Sequence, residues 1–191
     1  QEANAGIISV AELGAGTQWH ADVAAQQPTA VHGRVGGLLM PGQMAQQTFT
    51  IDTEKNNYFS FAGMVVPSND FFIGNDYAKA YQVVDQMGHL QISSFNIKAS
   101  DIWDAGSEVF DPATAAFVVG GSAPLRNPQH SVVARNFAEL AAFDGMQTAA
   151  GYQFHSGLTA NQDIYRVSFQ VAAVPEPEPY ALMGAGLMTL A

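Results

Sequence analysis

Three acidic residues on two separate stretches form the combination of side chains with the clearest chemical meaning. Asp70 lies in a turn three residues after Pro67, and Asp104 and Glu108 flank Gly106. If the two stretches meet, three carboxylates share one place, and they then bind a cation or raise one another's pKa. Oxygen ligands on irregular loops suit calcium. The pattern therefore predicts Ca2+ ligation by these three carboxylates, and a solvated acidic loop is the alternative.

The stretch 58–76 has to hold Asp70 in position. Residues alternate from Tyr58 as they do in a strand, until Pro67, which has no N–H for pairing. Ser68 and Asn69 carry side chains that bond nearby backbone in turns. The apolar run 71–73 then follows at once. We therefore expect a strand, a sharp turn that displays Asp70, and a second apolar anchor.

Alternating apolar residues predict further strands at residues 44–52, 90–99 and 163–171. The first of these ends about five residues before the stretch 58–66, which predicts a hairpin between the two. Several short strands separated by turns favour an all-β fold, an antiparallel sandwich.

Short helices are expected in the connecting loops. Residues 1–27 fit either a short helix or a short strand, followed by a helix at residues 18–25. Residues 132–142 also predict a short helix.

Composition excludes several functions. The chain has 191 residues, a formal net charge of −10 and seven basic residues, which argues against nucleic-acid binding. It has no cysteine, which excludes disulfides, thiol nucleophiles and Cys-based zinc sites. Abundant small and amide residues with scarce lysine suit an exported bacterial protein.

Catalytic patterns are weak. The five histidines are dispersed, and no nucleophile-elbow, P-loop or dinucleotide-binding motif is present. A polysaccharide hydrolase would need Asp104 or Glu108 at a cleft, as one of two carboxylates flanking a glycosidic bond. We therefore expect that the protein is not an enzyme.

Two motifs carry a resemblance to a known family. FAGMVVPSNDFFIGN at residues 61–75 and WDAGSEVFDP at residues 103–112 resemble the two signature segments of the spondin N-terminal domain. The resemblance implies a C2-like β-sandwich in an extracellular protein, with calcium at one end. Its ligand motif falls on Asp70, Asp104 and Glu108, where animal members carry Asp at the third position.

The C-terminal stretch differs in character from the rest of the chain. Val174-Pro175-Glu176-Pro177 followed by an apolar segment resembles a PEP-CTERM sorting signal, which implies processing by exosortase-type machinery. The apolar part spans about 12 residues, too short for a bilayer, which needs about 20. The predicted organisation is an N-terminal segment (1–34), a spondin-type domain (35–173) and a Pro-rich linker with an apolar tail (174–191).

These expectations combine into one hypothesis and two alternatives. The chain is predicted to be a secreted structural protein of the cell surface or extracellular matrix, acting in adhesion or assembly. Its expected partners are other copies of itself, as in an extracellular filament, or surface and matrix polymers. The alternatives are a monomeric calcium-dependent binding module and the hydrolase.

Overall fold

The computed structural model describes residues 1–121 and 125–172. Two helices, α1 (Ala5–Leu13) and α2 (Thr17–Gln26), come first. Eight short strands follow: β1 (Tyr58–Phe59), β2 (Ala62–Met64), β3 (Phe71–Gly74), β4 (Tyr81–Gln82), β5 (Ser94–Lys98), β6 (Trp103–Asp104), β7 (Ala134–Arg135) and β8 (Asp163–Ser168). Short 3-10 turns span Ala99–Asp101 and Ala138–Phe143. The fold is β-rich with few short helices, as the sequence predicted.

All strand pairs are antiparallel. Four strands form one sheet in the order β2-β3-β6-β7, and β1–β4 and β5–β8 form two-stranded sheets. Within the larger sheet Ile73 lies opposite Gly63, and Phe72 lies opposite Trp103. Strand β3 is thus central, with a partner on each side.

Strand β3 is buried on both faces, which explains its continuous apolar run. Phe71 and Ile73 face the main core, which they share with Ile97 of β5. Phe72 faces the opposite side and packs in a second cluster with Ala11 of α1. The larger sheet therefore lies between the main core and the N-terminal helix.

Helix α1 begins and ends at residues suited to those positions. The Asn4 side chain accepts a hydrogen bond from the Ile7 N–H (2.8 Å), which caps the helix start. The helix ends at Gly14, whose φ of 63° suits a residue without a Cβ. Ala11 is fully buried, and Glu12, which is also buried, forms an ion pair with Arg126. The N-terminal residues are thus packed against the same body as the strands.

The predicted hairpin between residues 44–52 and 58–66 is wrong. Strand β1 pairs with β4, β2 pairs with β3, and residues 44–52 have no regular secondary structure. Alternation specifies a buried face but no partner. The Asn75 side chain accepts from the Phe61 N–H and donates to the Phe59 carbonyl (both 2.9 Å), so it satisfies backbone groups between β1 and β2.

Other predicted elements are confirmed in shortened form or corrected. Strands β5 and β8 lie within the predicted segments 90–99 and 163–171, and α2 covers the predicted helix 18–25. The helix predicted at 132–142 is correct only in its second half, where a 3-10 helix begins at Ala138, whereas β7 occupies Ala134–Arg135. The sorting-type tail at 174–191 lies outside the described residues. None of the helices within residues 1–121 and 125–172 has the length and apolarity to cross a membrane.

Replacement of Phe71 by Ala tests the central role of β3. Phe71 is 1% exposed in the main core, so we expect a loss of about 3–5 kcal/mol in the free energy of unfolding. Chemical denaturation measures it. Tyr77→Ala, at a position that is 65% exposed, is the control and should change stability little. Equal losses for the two variants would contradict this view of the core.

Candidate metal centre

The loop between β2 and β3 is built around Ser68. The Ser68 hydroxyl donates to the Val65 carbonyl (2.6 Å) and accepts from the Phe71 N–H (3.0 Å), while the Val65 N–H donates to the Phe71 carbonyl (2.9 Å). These bonds close the loop over residues 65–71. Asp70 sits at its end and is buried, at 2% exposure. The turn predicted to hold Asp70 is present, but it directs the carboxylate inward.

The Asp70 carboxylate holds the second acidic stretch in place. Its Oδ2 accepts hydrogen bonds from the Ser107 N–H (2.7 Å), the Ser107 hydroxyl (3.2 Å) and the Glu108 N–H (3.1 Å). The Ala105 N–H donates to the Asp70 carbonyl (3.1 Å). The structure therefore brings Asp70 together with the loop that carries Asp104 and Glu108, although the two stretches are more than thirty residues apart in sequence.

Asn69 links the same two stretches and was not among the predicted site residues. Its Nδ2 donates to Glu108 Oε1 (3.1 Å) and to the Asp111 carbonyl (3.1 Å), and its Oδ1 accepts from the Asp111 N–H (3.2 Å). Asn69 and Glu108 are both buried. The only sequence signal for this link is the position of Asn69 between Ser68 and the apolar run 71–73. Because Asn is also common in turns, that position alone does not indicate contact with a distant loop.

Asp104 lies at the end of β6 and shapes the start of the acidic loop. Its Oδ1 accepts from the Gly106 N–H (2.7 Å), and its Oδ2 accepts from Asn136 Nδ2 (3.2 Å). Gly106 has a φ of 65°, and a Cβ there would lie 2.8 Å from the Ser131 carbonyl oxygen. Glycine is therefore required at this turn, which lets the chain reverse toward Glu108.

The electrostatics of the site disfavour the ionised carboxylates. Burial raises the pKa of Asp70, the nearby charge of Asp104 raises it further, and the bonds from Ser107 and Glu108 lower it in part. Burial also raises the pKa of Glu108, as do the charges of Asp70 and Asp111, against the hydrogen bond from Asn69. The site therefore concentrates negative charge that neutral N–H and O–H donors offset only in part.

The donor chemistry of the site suits a hard cation, but the side chains are engaged with protein donors. Three carboxylates and nearby carbonyls offer only oxygen, as calcium prefers. Across residues 1–121 and 125–172, however, no three His, Cys, Asp or Glu side chains are already arranged to hold a metal ion. Asp70 Oδ1 and Glu108 Oε2, unlike their partner oxygens, make no hydrogen bond to a described residue. Each oxygen of Asp104 accepts a single hydrogen bond from the described residues, which leaves a lone pair on each for an ion.

Two surface cavities lie elsewhere. One of about 430 Å³ is lined by Asn57, Tyr58, Gln82, Asp85, Gln86 and Met87. The other, of about 190 Å³, lies between the helices and β3 of the larger sheet, with Ile7, Trp19 and Phe72 among its lining residues. Asp104 and Glu108 line neither cavity, so neither offers the cleft that the hydrolase hypothesis needs.

Stability of the metal-free protein should depend on pH through Asp70. Because its folded pKa is raised above the ordinary value of 3.8, the folded protein takes up the proton at higher pH than the unfolded chain. The free energy of unfolding should therefore rise as pH falls through the folded pKa toward that value. Asp70→Asn, which is neutral throughout, should show a smaller rise in denaturation experiments with chelator present.

Asp163→Asn provides the control, since Asp163 is an exposed acid on β8. It should follow the wild-type pH dependence. Asp52 and Asp85 contribute to the pH dependence of stability with the opposite sign, because hydrogen bonds from Lys55 and His89 respectively lower their pKa values. These contributions are the same in every variant, so they cancel when the variants are compared. Identical pH profiles for the wild type and Asp70→Asn would contradict the proposed electrostatics.

Comparison of the chain with protein-family models, with curated proteins and with solved structures finds no match. The likeness to the spondin N-terminal domain therefore rests on the two motifs, at residues 61–75 and 103–112. The structure places these motifs in contact with each other through Asp70, Ser107 and Glu108.

Proposed function

We propose that this chain is a structural β-sandwich protein that calcium stabilises, and that it acts in assembly or adhesion outside the cell. The observation that carries the proposal is the burial of the Asp70 carboxylate against the acidic loop of Asp104 and Glu108. Two remote stretches meet there at a point of concentrated negative charge. A structural cation is one way to offset such charge.

Asp70, Asp104 and Glu108 would hold the ion. A bound calcium would supply positive charge that offsets the cost of keeping Asp70 and Glu108 ionised. Asp70 Oδ2 meanwhile keeps the 104–108 loop in place through its bonds to Ser107 and Glu108, and Asn69 orients the Glu108 carboxylate. The role of these residues is to fasten two loops together, which needs no reacting group.

The C2-like sandwich architecture is part of the proposal. Phe71 and Ile73 of the larger sheet share the main core with Ile97 of β5, and Tyr165 and Val167 of β8 pack against the same core. Antiparallel sheets that contribute to one core from different sides are typical of sandwiches. The motif resemblance to the spondin domain supports the same architecture.

The extracellular location and the partners are also proposals. They rest on the two motifs, on the composition, and on the likeness of the tail to a PEP-CTERM signal that exosortase-type machinery processes. The partners would be other copies of the chain, as in an extracellular filament, or matrix and surface polymers. The apolar segment 6–13 is a poor contact for a neighbour, because it forms most of α1 and buries Val10 and Ala11 in its own molecule.

Calcium should raise the thermal stability of the protein, and chelator should lower it. A ligand that binds only the folded state at 100 times its Kd adds about 2.7 kcal/mol, which for a chain of this size raises Tm by several degrees. Scanning calorimetry with calcium, with magnesium and with chelator measures the shift. Elemental analysis of the purified protein checks for bound metal.

Matched variants separate the site from general charge effects. Glu108→Gln removes one proposed ligand, whereas Glu54→Gln removes an exposed carboxylate. The calcium-induced rise in Tm should largely disappear in Glu108→Gln and remain in Glu54→Gln. The same Tm with calcium and with chelator, together with no metal in the purified wild type, would refute the calcium site.

A further inference from the structure

Residues 31–51 form an exposed arm of two limbs that have no regular secondary structure. The chain reverses at Pro41 and Gly42, where the Gln43 N–H donates to the Met40 carbonyl (2.9 Å) and Gly42 has a φ of 80°. Proline followed by such a glycine is the sequence of a type II turn. The limbs lie close together, because a Cβ at Gly33 would lie 2.7 Å from Phe49 Cε1.

The arm is exposed along nearly its whole length. Every residue from 31 to 51 is exposed except Met40 and Phe49, which are partly exposed. At its base the His32 Nδ1 lies 3.0 Å from the His20 Nδ1 on α2. This contact joins the start of the arm to α2.

The second limb, residues 44–51, has the sequence pattern of a strand but pairs with no strand that the structure describes. Residues 44–51 alternate, with Phe49 and Ile51 on one face and Thr48 and Thr50 on the other, and these residue types favour strands. The turn bond from Gln43 is the only backbone–backbone hydrogen bond of residues 31–51 to any part of the chain that the structure describes. A segment whose N–H and C=O groups make no backbone hydrogen bonds is able to add to the edge of another sheet.

The arm also differs from the rest of the chain in surface chemistry. It exposes six large apolar side chains: Val31, Val35, Leu38, Leu39, Met44 and Ile51. It contains Arg34 and no acidic residue, whereas the remaining six basic and all seventeen acidic residues lie elsewhere in the sequence. The formal net charge is therefore +1 in the arm and −11 outside it. The arm is thus opposite in the sign of its formal charge to the remainder of another copy.

We propose that the arm docks on the body of a second copy of this chain, by strand addition and burial of its apolar side chains. The contact joins two different surfaces, because the arm of one copy meets the acidic body of the next. Contacts of this head-to-tail kind repeat along a series of copies and give rings or filaments. The inference rests on the assembly role proposed above and names the surface that performs it.

Sedimentation velocity of the full chain over a range of concentrations tests the proposal. The wild type should form oligomers that grow with concentration and weaken as salt is added, since salt screens the attraction between arm and body. Met44→Asp places a charge at the most exposed apolar position of the arm, which is 91% exposed, and should raise the apparent dissociation constant at least about tenfold. Thr50→Pro removes an N–H from the pairing limb and should act in the same direction.

Met87→Asp is the matched control, because Met87 is 83% exposed and lies outside the arm. It adds the same charge and should leave association unchanged. Since all three positions lie on the surface, each variant should keep the wild-type Tm. A wild type that stays monomeric at every concentration, or equal weakening by Met44→Asp and Met87→Asp, would overturn the proposal.

Mixing and cross-linking identify the surface that receives the arm. Met44→Asp keeps an intact body, so it should bind wild-type arms and shorten the wild-type oligomers. Because the chain has no cysteine, Met44→Cys accepts a single photoreactive label. Cross-links to residues outside 31–51 of another copy would support the proposal, whereas exclusively arm-to-arm or intramolecular cross-links would overturn it.

The outcome is distinguishable from that of the calcium test. A monomeric protein whose Tm responds to calcium would overturn the role of the arm and leave the metal site standing. If instead the Tm does not respond to calcium but the arm variants weaken the oligomers, the metal site would be overturned and the role of the arm would stand.

Discussion

The hydrogen bonds of the Asp70 carboxylate hold the loop that carries Asp104 and Glu108 in place. Three donors from Ser107 and Glu108 converge on its Oδ2, and this fixes the backbone of the loop after β6. That loop then pairs with residues 127–131: the Gln129 N–H donates to the Ser107 carbonyl and the Ser131 N–H to the Gly106 carbonyl (both 2.9 Å). One side chain from the β2–β3 loop thus determines the path of two further segments.

A buried carboxylate with only neutral donors is a costly way to fasten a loop. Burial and the neighbouring Asp104 both favour the protonated form of Asp70, and burial also raises the pKa of Glu108. An apolar pair of similar shape would hold the loops without this cost. The calcium proposed above would supply a partner of opposite charge for these carboxylates. This is the physical reason to connect the site with calcium.

The sequence was most informative where local chemistry acts alone. The Pro67–Asp70 turn and the run of Phe71 to Ile73 appear as predicted, because turn side chains and a continuous apolar run specify their own surroundings. The contact between the two acidic stretches was also predicted, but the inward direction of Asp70 was not. Spacing shows which carboxylates can meet, whereas their burial depends on packing by distant residues.

Strand partners were the least predictable feature, and residues 44–52 show why. Their alternation is that of a strand with one apolar face, yet none of the sheets formed by residues 1–121 and 125–172 includes them. Alternation measures the ability to pair and does not specify the molecule that supplies the other strand. In a single copy, Asn75 satisfies backbone groups near β1 and β2, and the alternating limb remains exposed. The second copy proposed above would reconcile the strand pattern of this limb with its exposure, because it would supply the missing strand partner.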